Sequence, residues 1–85
     1  MNDVEERTRN FGFLLSGLEK PPGRVIRLDS IDDNFQLLHE SMMSEANQAG
    51  YGFVKEKSVI EFYKNKEAMP MDGTPGDIFY YFQLE

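Results

Sequence analysis

The last ten residues, GDIFYYFQLE from Gly76 to Glu85, constrain this chain more than any other stretch. Strand alternation puts Ile78, Tyr80, Phe82 and Leu84 on one side and Phe79, Tyr81 and Gln83 on the other. Both sides are apolar for most of their length, and a strand of that kind is suited to burial on both faces. A chain of 85 residues lies near the lower end of what one hydrophobic core stabilises alone. The expectation is that helices cover one face well, that the edges of this strand stay unpaired, and that something else covers the rest. A second copy, or another protein adding a strand, would do so. The alternative is that the N-terminal helix folds back over the second face.

The segment DVEERTRNFGFLLSGLEK predicts a first helix. Asp3 and Glu6 have the spacing of a capping box, and Val4, Phe11, Leu14, Leu15 and Leu18 fall on one stripe. Gly12 and Gly17 weaken it by about 1 kcal/mol each relative to alanine. KPPG ends it, because proline cannot donate a helix hydrogen bond. RVIRLD, with Val25 and Ile26 amid charges, predicts a strand. Ser30 and Asp33 suggest a second capping box, after which Ile31, Phe35, Leu38, Met42, Ala46 and Ala49 recur at three- and four-residue steps up to Gly50. YGFVKEK predicts a connector whose Tyr51, Phe53 and Val54 tuck under neighbouring elements. SVIEFYKNK suits a strand by content or a helix by its Ser58-to-Glu61 cap, and the short helix is favoured. AMPMDGTPGD predicts a loop. The fold class expected is α+β: a single domain over 1–85, a two- or three-stranded antiparallel sheet and about three helices, in the order helix, strand, helix, helix, strand.

Charge and cysteine content narrow the function classes. Fifteen acids against nine Lys and Arg leave a net charge of −6, a field that repels nucleic-acid phosphates and anionic lipid. The same field suits a basic protein partner, or simply keeps the chain soluble. The absence of cysteine excludes disulfides and thiolate chemistry and favours a reducing compartment, so a cytoplasmic location is expected. No apolar run approaches the ~18 residues of a membrane span. MNDVEERTRN is too charged for a signal peptide.

The stretches RVIRLD, EANQAGYGFVKEKSVIEFYKN and PGDIFYYFQLE follow one another in a cadence that resembles the opening half of acetyltransferases of the GNAT superfamily. The resemblance covers 24–85, behind an N-terminal amphipathic helix over 1–20, and it is one of pattern, with no diagnostic motif. In that family the cofactor pyrophosphate rests on backbone N–H groups of a glycine-containing loop at a helix N-terminus, after the fourth strand. Here the pattern stops at what would be the second strand, and DGTPGD carries acids that repel a pyrophosphate. The resemblance thus implies a half-domain that needs another chain for acetyl-CoA. TRNFGFLLSGLEK is similar to the opening helix of MarR-type regulators, but no helix-turn-helix or basic wing follows it.

No residue cluster makes a case for catalysis. His39 stands alone, and the adjacent Glu40 points about 100° away on a helix. Asp29, Asp32 and Asp33 have oxygen ligands for calcium or magnesium but lack a calcium-loop spacing, and acids in a first turn also serve the helix dipole. Glu45 is a surface residue or an acceptor-recognition residue of the acetyltransferase kind. Met42 reads as core and Met43, Met69 and Met71 as cover, or together as an adaptable binding face. The function expected is that of a non-catalytic, small acidic protein, of regulator or inhibitor type, acting through a protein partner or as a homo-oligomer. Its contact residues are Phe79, Tyr80, Tyr81, Phe82 and Leu84, with Phe11 and Leu15 of the first helix. Cofactors, metals, direct nucleic-acid contact and membrane contact are not expected. The alternatives are the acetyltransferase half-domain and an acidic nucleic-acid mimic that blocks a basic target.

Overall fold

The computed structural model describes residues 3–15 and 20–85, apart from the side chains of 3, 13 and 14. Along the chain lie α1 (Asp3–Leu15), β1 (Gly23–Asp29), α2 (Phe35–Gln48), β2 (Tyr51–Ser58), α3 (Val59–Asn65) and β3 (Asp77–Leu84). The fold is α+β, with one three-stranded antiparallel sheet in the order β1-β3-β2.

β3 is therefore the central strand. Its register with β1 runs from Gly23 opposite Gln83 to Asp29 opposite Asp77. Its register with β2 runs from Tyr51 opposite Leu84 to Ser58 opposite Ile78, with a bulge between Phe53 and Lys55. The unpaired edges expected for this strand are corrected: both are occupied by the chain's own strands. The source of the error is β2, which the sequence predicts as a connector. Its Lys55-Glu56-Lys57 run hides the alternation, and pairing with β3 supplies what local propensity does not.

The two sheet faces are covered unequally. On the first face, Ile26, Leu28, Tyr51, Tyr80 and Phe82 pack with Phe11 and Leu15 of α1 and Leu38, Met42, Ala46 and Ala49 of α2, while Ile78 and Leu84 flank them. On the second face, Phe79 packs with Val59 and Phe62 of α3, and Val25, Met69 and Tyr81 border that cluster. The Phe62 and Phe79 rings meet edge to face at 5.5 Å and 88°, a geometry that adds to the burial gain. α1 thus joins α2 on the first face, and α3 is the element that reaches the second.

Local signals account for most helix boundaries. The Ser58 hydroxyl accepts from Glu61 N–H, and Glu61 accepts in return from Ser58 N–H, the capping box the sequence predicts. Gly50 stops α2 at φ 88, in the left-handed region. The start of α2 differs from expectation. The helix begins at Phe35 with no side-chain cap at Asn34. The Ser30 hydroxyl instead donates to Gly76 O, and Asp32 Oδ1 accepts from Asn34 N–H within a turn. Ile31, predicted on the buried stripe, sits in this turn and is 74% exposed. The predicted cap at Asp3, and Leu14 and Leu18 on the α1 stripe, fall outside the described side chains.

The resulting body is a slab of 34 × 32 × 17 Å. Seven helical residues in α3 span about 10 Å, whereas the eight residues of β3 span about 27 Å. One end of the second face is therefore left without a helix over it.

Candidate functional site

Most of the contact residues named from sequence are core residues. Phe79, Tyr80 and Phe82 are at most 3% exposed, and Phe11 and Leu15 are buried beside them. Central-strand and helix-stripe positions are consumed by the protein's own packing, so these five are corrected as surface contacts. Tyr81 and Leu84 remain partly accessible.

Tyr81 lies where α3 gives out. Cross-strand neighbours share a face, so Val25 and Lys55, both opposite Tyr81, flank its ring on the second face. Lys55 Nζ stands 5.0 Å from the ring centroid, a cation–π distance. Gly23 and Gly52, both opposite Gln83, continue this face toward the end of the sheet, where the Glu85 side chain lies over Gly52. At the covered end, Lys57 Nζ sits 4.7 Å from the Phe62 ring and pairs with Glu67 at 2.5 Å. Beyond it, Ile60 and Tyr63 are exposed on α3. Phe53 and Val54 are exposed at the bulge of β2. Phe53 and Val54, predicted to tuck under neighbouring elements, are corrected as surface residues, and Ile60 and Tyr63 were missed, since the β2 bulge and the outer side of α3 become visible only once their pairing is known.

On the first face, His39 is half-buried between two rings, 6.0 Å from Phe35 and 5.2 Å from Tyr80. Burial, with a smaller push from the Glu56 carboxylate, raises the Tyr80 hydroxyl from 10.0 to about 12. The raised value means that the folded state holds this proton more tightly than the unfolded chain. The stability it contributes is complete below pH 10 and is lost as pH rises toward 12. An ultraviolet titration is expected to show a tyrosinate step near pH 12 that Tyr80→Phe removes. A Tyr80→Phe spectrum that keeps that step contradicts the assignment.

A cleft of about 460 Å³ runs between α1 and the outer side of β1, lined by Arg7, Asn10, Phe11, Leu28 and the Thr74–Asp77 turn among others. Its charges are largely spent within the chain. Arg7 pairs with Asp32 at 2.9 Å. Arg27 lies 3.8 Å from Asp77 Oδ2 and donates to the Asp72 carbonyl. Asp77, the buried acid at 8% exposed, accepts from the Thr74 N–H at 2.9 Å and from its hydroxyl at 3.3 Å. These bonds fold the DGTPGD loop onto itself. Asp29 Oδ1 accepts from Ile31 N–H. Asp29 and Asp32 are thus turn-forming residues here, and Asp33 is exposed. Among the described residues, no group of three or more His, Asp or Glu side chains is placed to hold a metal ion. Met42 is fully buried, Met43 and Met69 are half-buried, and Met71 is exposed. Glu45 is half-buried against Gly12, where α2 meets α1. No helix among the described residues is long and apolar enough to cross a membrane.

No protein family, characterised protein or solved structure matches this chain.

Proposed function

We propose that this is a non-catalytic acidic protein of regulator or inhibitor type, acting through contact with another protein on the uncovered half of its second sheet face, centred on Tyr81. The observation that carries the reading is the mismatch between a seven-residue helix and an eight-residue strand, which leaves the half-buried Tyr81 on a part of the face that no helix covers. Tyrosine with an aromatic-stacked lysine is the kind of side-chain set that anchors interfaces: apolar body, polar tip, little entropy to lose. The bare area is small. Three strands about 4.8 Å apart and half a strand in length give roughly 200 Å², against about 800 Å² per partner in a standard interface. Ile60 and Tyr63 are exposed on α3 beyond the covered end, and a contact of this size belongs to the transient class.

The test compares two charged substitutions on opposite sides of the sheet. Tyr81→Asp is expected to keep the fold by circular dichroism and to lose the partner captured by the wild-type protein. Leu37→Asp, on the exposed side of α2, is expected to keep it. Capture that survives Tyr81→Asp unchanged contradicts the proposal.

A further inference from the structure

The sheet has two outer edges, and they differ in how they meet a new strand. On β1, Leu84 N–H donates to Pro22 O at one end and Ser30 N–H donates to Gly76 O at the other. Antiparallel bonding alternates along a strand. Arg24, Ile26 and Leu28 therefore turn their N–H and C=O groups toward β3, and Gly23, Val25, Arg27 and Asp29 turn theirs outward. Pairing is regular along all seven residues of β1, with neither bulge nor proline within the strand. The cleft of about 460 Å³ between α1 and β1 borders this edge at Arg27, Leu28 and Asp29. Such an edge is a template for another strand.

We propose that β1 pairs edge to edge with β1 of a second copy, giving a continuous six-stranded antiparallel sheet about a two-fold axis through Ile26. That register uses every residue of the strand. It sets Gly23 opposite Asp29, Arg24 opposite Leu28 and Val25 opposite Arg27 of the second copy, with Ile26 opposite itself. No like charges stand directly opposite one another, the arrangement that destabilises a ladder. Gly23, Val25 and Arg27 gain backbone partners in it, and Asp29 gains one for its N–H, its carbonyl already accepting from Asp32 N–H. β2 offers no equivalent. Centring a two-fold register on Lys55 or Glu56 opposes like charges, and the registers that avoid this fall on the bulge at Phe53–Lys55. Bulges and edge charges are devices that protect a strand from pairing. A symmetric contact of one patch with itself also closes, so assembly stops at two. The inference goes beyond the Tyr81 contact and stands apart from it, since backbone groups on the edge carry it.

Two measurements on the full chain test it. Sedimentation across a concentration series is expected to show a monomer–dimer equilibrium that strengthens with salt, because each copy carries a net charge of −6. Val25→Pro removes one outward N–H per copy at an edge position that tolerates proline, and it is expected to weaken dimerisation by about tenfold or more. Amide exchange on the wild-type protein guards against a folding defect in that variant. Raising concentration is expected to slow Gly23, Val25, Arg27 and Asp29 and to leave Phe53 and Glu56 of β2 unchanged. A strictly monomeric chain overturns the proposal, as does a dimer that protects β2 or α3 instead. Folded Val25→Pro that dimerises as tightly as wild type overturns it too. Loss of the Tyr81 partner contact without change in dimerisation leaves it standing.

Discussion

Phe82→Asp is expected to abolish folding altogether, leaving a chain without cooperative melting or dispersed amide resonances. Phe82 is 3% exposed in the main cluster, between the helices and the middle of the sheet. Removing its ring costs about 3–5 kcal/mol. A carboxylate buried without a partner adds several kcal/mol more. A domain of this kind has only about 5–15 kcal/mol of stability to lose. Tyr81→Asp, one residue away on the other face, is expected to stay folded. A well-folded Phe82→Asp protein places this residue on a surface and contradicts the assignment of β3 as the central strand.

Phe79→Ala tests the smaller layer. The Phe79 ring is fully buried against Val59 and Phe62. It also lies under the 66–76 loop, where a Cβ added at Gly73 would sit 3.0 Å from its Cζ. A loss of about 3–5 kcal/mol is expected, and for a domain of this size that lowers the melting temperature by on the order of 20 °C. Amide shifts should concentrate in α3 and the loop, because the α1 and α2 layer packs on the other face. A loss below about 1 kcal/mol would mean that α3 is not part of the core.

The parts of this fold legible in sequence are those whose signal is local. The α2 stripe from Phe35 to Ala49, the Ser58 cap, the Gly50 stop and the two-faced apolarity of β3 each reside within about fifteen consecutive residues, and the structure has them, though without Ile31 on the stripe. What was not legible depends on pairing across the chain. The Ser30 hydroxyl has an acceptor 46 positions away at Gly76, which outcompetes the capping role that local spacing predicts. β2 reads as a charged connector until β3 lies beside it. With β2 missing from the count, a strand apolar on both faces looks like an edge in need of a companion. With β2 in place it becomes the middle of the sheet, and the accessible surface shifts to Tyr81, α3 and the outer edge of β1. Of the contact residues read from sequence, Tyr81 and Leu84 keep accessible surface and the other five do not.

The most direct measurement of the account is residue-resolved amide exchange of the protein at low concentration. If β3 is central, its N–H groups bond alternately to β1 and β2, and Phe79 to Phe82 should exchange among the slowest in the chain, near the rate set by global unfolding. Arg24, Ile26 and Leu28 should be protected and their odd-numbered neighbours on β1 fast. If every second amide of β3 exchanges as quickly as those outward groups, one side of that strand is open, and the topology on which the Tyr81 face and the β1 edge both depend is wrong.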